Sequence, residues 1–217
     1  MSDSARLLQR IDELEHRLGV VEDEREIARL QNMYGFYIDN RMWREMADLF
    51  AEDGEIEISR RGGYRGRERI HRFLQEVLGQ GRWGLDREEI INHIQLQMVI
   101  TVAPDRQTAK MRSRAMVQGN SPPGGSSMMQ AEGLYENDYV REDGAWKIRR
   151  LWWIPTFYFN VPGFDTAVFE SGPVSEDFPP DTPPRAKDER LGRGFPPFHY
   201  AHPITGAPGR LPASEAE

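Results

Sequence analysis

The stretch Glu26 to Ser59, EIARLQNMYGFYIDNRMWREMADLFAEDGEIEIS, constrains the fold more than any other part of this chain, because its hydrophobic period changes within one short run. Ile27, Leu30, Tyr34, Ile38 and Arg41 recur at the spacing of one helix stripe. Glu55-Ile56-Glu57-Ile58 instead alternates, as a half-buried strand does. Between them Trp43 opens a short second helix, and Leu49-Phe50 leads into Ala51-Glu52-Asp53-Gly54, which reads as a polar turn. The order is helix, helix, turn, strand. Asp39 lies about 120° from Ile27 at roughly 100° per residue, off the core stripe.

With 217 residues the chain can bury one substantial core and carry extensions. A net charge of -7, with arginines interleaved among acids, argues against nucleic acid, which needs a clustered basic face. No cysteine is present, so disulfides, thiolate nucleophiles and cysteine-ligated metals are excluded together. No run of about 18 apolar residues occurs, and the first residues form neither a basic segment nor an apolar one. These features predict a soluble cytoplasmic protein with no membrane partner.

Leu7, Ile11, Leu14, Leu18 and Val21 alternate at spacings of four and three, a heptad seam about two heptads long. It is too short to hold a coiled coil alone. It reads as a helix docked on the domain or on a neighbouring subunit, a dedicated partner-binding zipper being the alternative. Burial in a homo-oligomer, dimer or trimer, is expected, so residues 1–24 are assigned as an oligomerisation helix. Arg60-Arg61-Gly62-Gly63-Tyr64-Arg65-Gly66 lacks the spacing and lysine of a phosphate-binding loop. Gly66 to Leu78 reads as a helix with Ile70, Phe73, Leu74 and Val77 inward, and residues 82–89 as a loop. A strand over Ile90–Val102 puts Ile91, His93, Gln95, Gln97 and Val99 on one face and Asn92, Ile94, Leu96, Met98 and Ile100 on the other. In the next strand, Thr108 to Gly119, Ala109, Met111, Ser113, Ala115 and Val117 face inward. Two further strands, Met128–Arg141 and Ala145–Phe159, follow the flexible Ser121–Ser127 loop. From Pro155 onward lie twelve of the fifteen prolines, yet also many aromatics, too many for a solvated tail. Residues 156–217 are expected to form an extended arm, with Phe157–Phe159 or Phe195–Tyr200 lining or lidding the pocket of the same or an adjacent subunit. The alternative is an arm that only covers the convex sheet face and cements the oligomer.

Tyr34-x2-Tyr37-x-Asp39-x3-Trp43-x5-Leu49-Phe50-Ala51-Glu52-Asp53-Gly54, then Gly66-Arg67-Glu68-x-Ile70-x2-Phe73, Asn92-His93, Gly133-x-Tyr135-x-Asn137-x-Tyr139 and Asp143-Gly144-x-Trp146-x-Ile148 together resemble the SnoaL-like branch of the nuclear transport factor 2-like superfamily. The resemblance covers roughly residues 25–155. It implies an α+β cone in which helices fold against the concave face of a curved mixed β-sheet, leaving a pocket at the open end. That superfamily holds dehydratases, isomerases, dehydrochlorinases, cyclases and binding modules, so the fold does not give the function. Within it, a long chain with a heptad helix and an aromatic C-terminal arm looks most like the sphingomonad diarylpropane lyases. These release a hydroxymethyl carbon of lignin-derived diarylpropanediols as formaldehyde and leave a stilbene.

The resemblance implies a dyad of Asp39 and His93. A buried carboxylate beside an imidazole fixes its tautomer and supports the imidazolium, making His93 a usable general base. Two departures stand out. The first-strand carboxylate that ketosteroid isomerase uses as its base is replaced by Ile58. Ile38 and the region of Gln118 stand where scytalone dehydratase has a tyrosine and a second histidine. Tyr34 is a further catalytic candidate. Tyr135, Arg60, Tyr37, Trp43 and Tyr158 are candidates for substrate binding, and the surplus of ring surface, including Trp83, Trp152 and Trp153, suits a bulky aromatic small molecule. No HxH, HxxxH or HExxH spacing occurs, so no metal site and no cofactor are expected. The expected activity is a cofactor-independent lyase, with carbon–carbon cleavage favoured. The alternatives are a dehydratase or polyketide-cyclase-like enzyme on the same dyad, and a non-catalytic binding module.

Overall fold

In the computed structural model, residues 2–86, 89–120, 125–166, 174–182 and 198–208 are described. Helix α1 (Asp3–Asp39) is one continuous helix of 37 residues, roughly 55 Å long at 1.5 Å per residue. The heptad segment and the core stripe therefore belong to a single element, uninterrupted at residue 24. From Gly19 onward one side of α1 sinks into the domain, burying Asp23, Ile27, Leu30, Tyr34 and Ile38. Before Gly19 the helix stands clear, with Leu7 66% and Leu18 59% exposed. Helix α2 (Trp43–Ala47) and strand β1 (Phe50–Ile58) follow. Ala51–Gly54, expected as a turn, instead lies inside β1, where the pairing register slips between Phe50 and Glu55. The acidic residues bulge outward without ending the strand.

Strand β2 (Gly63–Arg65), helix α3 (Arg67–Arg72), β3 (Ile90–Val102), β4 (Thr108–Asn120), β5 (Ser127–Glu142) and β6 (Ala145–Pro162) complete the domain. The six-stranded sheet runs β2-β1-β6-β5-β4-β3, with β1 parallel to β6 and every other pair antiparallel. Register shifts in β3, between Glu132 and Gly133 and between Asp138 and Tyr139 bend the long strands into the curved wall of a cone. The C-terminal half of α1 fills its concave side. At Gly133 a Cβ would come within 2.6 Å of the Trp153 ring, so this glycine lets the indole lie flat on the strand.

Three local departures redirect side chains. Helix α3 continues as a π-helix over Phe73–Leu78, so Ile70, Phe73 and Leu74 are buried as expected but Val77 is rotated out, 49% exposed. In β3 the pairing slips between Leu96 and Val99, with Gln97 at φ 51. Strict alternation therefore fails there: Met98, Ile100 and Val102 pack on the core while Val99 is exposed. β4 keeps the expected inward set Ala109, Met111, Ser113, Ala115 and Val117. At the end of β1, Ser59 takes φ 55 and begins a 3-10 turn over Ser59–Arg61.

Of the C-terminal arm, 198–208 packs on the outer side of α1 and α2. Phe198 contacts the rings of Phe36 and Tyr37, and the His202 ring stacks on Tyr37 at 5.4 Å. The His202 Nε2–H donates to the Glu45 carbonyl at 2.9 Å while its Nδ1 accepts from the amides of Ile204 and Thr205. Phe198–Tyr200 thus strap the helices of their own chain and do not line its cavity, and residues 195–197 lie outside the described residues. No helix among the described residues is long and apolar enough to cross a membrane.

Candidate active site

Helix α1 ends on a turn that presents Asp39. The amide of Met42 donates to the Tyr37 carbonyl at 2.9 Å and that of Arg41 to the Ile38 carbonyl at 3.2 Å, with Arg41 at φ 50. These are the two bonds of a Schellman cap, with arginine where glycine is usual. The conformation is held from outside the helix. The Arg41 guanidinium donates to the carboxylate of Glu89 and, at 2.9 Å, to the Gly84 carbonyl. Arg82 donates to the same carboxylate. Burial pushes the Glu89 carboxyl up, but hydrogen bonds from Arg41 and the Asp86 amide outweigh it and hold the group below the ordinary carboxylate range. Glu89 had no signal in the sequence, since its loop carries no periodicity.

His93 approaches from β3. Its Nδ1 lies 2.9 Å from Asp39 Oδ1, and the two side chains are 13% and 10% exposed. A carboxylate can only accept, so Nδ1 carries the proton, and in the neutral imidazole it is Nε2 that keeps the lone pair. Helix and strand come this close because Gly35 has no side chain: a Cβ there would lie 3.1 Å from the His93 carbonyl oxygen. A buried polar chain fixes the same strand. Tyr139 and Asn137 donate to Gln31 Oε1, Gln31 donates to Gln95 Oε1 at 2.9 Å, and Gln95 donates to the His93 carbonyl at 3.0 Å.

His93 lines a cavity of about 430 Å³ at the open end of the cone, within the range of roughly 300–1,000 Å³ usual for small-molecule sites. Its wall is largely aromatic, built from Tyr34, Trp43, Tyr135, Trp153 and Tyr158, with Arg41, Arg61, Gln118 and Asn160 among its polar points. The Tyr135 ring meets Trp153 at 4.7 Å and Tyr34 edge-on at 5.7 Å, and its hydroxyl donates to that of Tyr34 at 3.4 Å. The Trp153 indole N–H donates to the Tyr158 hydroxyl. Asp39 stands behind His93 and faces a shallower cleft on the outside, lined by Asn32, Gly35 and Phe36.

Of the candidate residues, His93, Tyr34, Tyr135, Trp43 and Tyr158 line the cavity, and Asp39 touches it through His93. Two do not belong there. Tyr37 points to the opposite side of α1, under Phe198 and His202. Arg60 is turned to solvent by the 3-10 turn, and its neighbour Arg61 lines the cavity in its place. Strand parity carried past Ile58 fails at Ser59. Trp83 and Trp152 are also partly exposed and off the cavity.

Burial, followed by the charge of Asp39, pushes the Tyr34 phenol well above its ordinary value of 10.0, and burial does the same for Tyr135. Both are therefore neutral hydrogen-bond donors at any ordinary pH. Ultraviolet difference titration should show these phenols still protonated in native protein when accessible tyrosines ionise near pH 10. A folded pKa above the unfolded one contributes stability that is complete below about pH 10 and lost as pH rises further. The protein should accordingly unfold on the alkaline side, with the buried phenols ionising as it does. Native-state ionisation of Tyr34 or Tyr135 at pH 10 would contradict this placement.

The SnoaL-like domain profile matches residues 19–151. Among solved structures, a candidate scytalone dehydratase from Novosphingobium aromaticivorans DSM 12444 is 25% identical, with a TM-score of 0.53, over 67% of this chain and 90% of that one. LinA is 18% identical with a TM-score of 0.59, over 68% of this chain and 95% of its own. A type-3 LinA, a hexachlorocyclohexane dehydrochlorinase from Novosphingobium barchaimii LL02, is 20% identical with a TM-score of 0.53, over 75% and 96%. The two LinA structures share the fold. No protein of curated function matches the chain in sequence.

Proposed function

Because this chain belongs to the SnoaL-like family, whose cone it shares, we propose that it is a cofactor-independent lyase acting on a bulky, hydroxylated aromatic molecule, and that it cleaves a diarylpropane-1,3-diol to a stilbene and formaldehyde. The observation that carries this reading is a His93–Asp39 pair opening on an aromatic cavity that also holds two neutral phenols.

The chemistry follows from those groups. His93 Nε2 takes the proton of the primary hydroxyl, and the imidazolium is stabilised by the Asp39 carboxylate. The oxygen lone pair closes the carbonyl of formaldehyde as the adjacent carbon–carbon bond breaks. Its electron pair forms the central double bond, and the benzylic hydroxyl leaves. That hydroxyl departs as water, with a proton delivered from the Tyr34–Tyr135 hydroxyl pair and restored from the imidazolium. One diol thus gives one stilbene, one formaldehyde and one water. Trp43, Trp153 and Tyr158, which line the cavity, offer ring faces for the two aryl groups. Water exclusion by such a wall favours the charge-separated step, and Arg61 at the rim can hold a phenolate or carboxylate substituent.

A second reading, dehydration on the same dyad, is favoured by the 25% identity to the candidate scytalone dehydratase. A panel of diarylpropanediols and hydroxylated polyketide-type ketones, with products followed by mass spectrometry, separates the two. Loss of a formaldehyde unit together with water is expected. Loss of water alone, with every carbon retained, would support the dehydratase. Tight binding without turnover of any compound would leave a binding module.

A further inference from the structure

The first five turns of α1 carry an apolar seam that the domain does not use. Leu7, Ile11, Leu14, Leu18 and Val21 are 66%, 43%, 48%, 59% and 45% exposed. Gly19 and Asp23, by which the helix docks on its own sheet, lie roughly 120–160° around the helix from the seam. At Gly19 a Cβ would lie 2.0 Å from the Arg106 guanidinium, and Asp23 bonds both Arg106 and Arg141. The seam therefore faces away from the cone. Another chain can lie along it without meeting the domain.

The charges beside the seam state which chain and which direction. With Ile11 and Leu18 at heptad positions a, and Leu7, Leu14 and Val21 at d, the flanking g positions are Arg10 and Arg17 and the flanking e positions are Glu15 and Glu22. In a parallel, in-register pair each g residue faces the e residue five places on in the other helix. That sets Arg10 against Glu15 and Arg17 against Glu22, each twice by symmetry. In an antiparallel pair g faces g and e faces e, so arginine meets arginine and glutamate meets glutamate. Among the described residues Arg10 pairs with Glu13 of its own helix, in an exposed pair that a partner can displace. Arg25, at the next a position, ends the apolar seam where the helix enters the cone.

We infer that α1 is a self-recognition element, joining copies of this chain through a parallel, in-register pairing over Leu7–Val21, with Arg10 and Arg17 of each helix bridging Glu15 and Glu22 of the other. The cones then lie on the outer sides of the pair, with their cavity ends free of it.

The absence of cysteine makes the test clean. In full-length protein, Leu7→Cys should oxidise to a disulfide-linked dimer, since parallel register puts the two d positions within bonding reach. Gln9→Cys, on the outer face, should give at least tenfold less. An antiparallel pair centred on Leu14 would hold the two residues 7 roughly 20 Å apart. It would instead cross-link Leu7→Cys to Val21→Cys in a mixture, which would overturn the inference. Charge reversal gives the second arm. Arg10→Glu/Arg17→Glu and Glu15→Arg/Glu22→Arg, each in the Leu7→Cys background, should lose most cross-linking alone and regain it when mixed. Cross-linking indifferent to both reversals, or equal at positions 7 and 9, would also overturn it, whatever contacts the cones make.

Discussion

Replacing His93 with alanine is expected to lower turnover by about 100-fold or more, the usual scale for removing a positioned general base, with the Michaelis constant changed little. The cavity stays aromatic and its volume grows only by the imidazole, so binding survives while proton removal does not. Asp39→Asn should fall between this variant and wild type. The amide keeps the shape beside Nδ1 but withdraws the charge that stabilises the imidazolium, and it can present an N–H that forces the wrong tautomer. Steady-state rates on the diarylpropanediol, with folding checked by circular dichroism, measure both. Wild-type turnover in His93→Ala would remove this residue from the chemistry.

The largest effect on stability is expected far from the cavity, at Asp23. Its carboxylate is buried at the mid-length of α1 and receives Arg106 Nε at 2.6 Å, the Arg141 guanidinium and the Trp146 indole N–H at 3.0 Å. Arg141 also stacks over the Trp146 ring at 4.7 Å. One side chain thus ties the helix to the β3–β4 turn and to both strands of the β5–β6 hairpin. Asp23→Ala would leave two guanidinium groups and an indole N–H without their acceptor. Breaking a fully buried pair from one side costs about 3–5 kcal/mol, and the low end of that range is expected because the Arg106 and Arg141 side chains keep 32% and 22% of their surface exposed. Urea unfolding at neutral pH measures it. Burial pushes the Asp23 carboxyl up, but the hydrogen bonds from Arg106 and Trp146 and the charge of Arg141 win, and its pKa is lowered from 3.8. The contribution of a group with a lowered folded pKa is present above the unfolded value and disappears as pH falls through the folded one. The gap between wild type and Asp23→Ala should therefore be widest at neutral pH and shrink below about pH 4.

Asp23 was legible in principle. It falls one turn before Ile27 on the stripe that continues through Leu30, Tyr34 and Ile38, and an acid on a core stripe announces a buried ion pair. The helix stripe, the inward set of β4 and the ordered motifs from Tyr34 to Ile148 were readable because period and spacing survive wherever the backbone is regular. What was lost turns on a few residues where it is not. Ser59 and Gln97 adopt left-handed conformations without being glycine, so strand parity failed after Ile58, exchanging Arg60 for Arg61, and again after Leu96, exposing Val99. The π-helix turned Val77 outward by the same kind of register change. Tyr37 was misplaced for another reason: its stripe is buried by the segment around Phe198 and His202, more than 150 residues away, and a helix periodicity cannot say which neighbour covers a face. The approach of Asp39 to His93 depends on Gly35, a glycine in mid-helix whose purpose shows only once the strand is in place.

The central claim is that the Asp39–His93 pair drives carbon–carbon cleavage without an added cofactor. The most direct measurement incubates purified protein with a diarylpropane-1,3-diol and determines formaldehyde and stilbene in the same sample over time. The account predicts one formaldehyde for each stilbene, at a rate unaffected by added cofactors and about 100-fold or more lower in His93→Ala. Consumption of the diol with no formaldehyde, the product keeping every carbon, would contradict it.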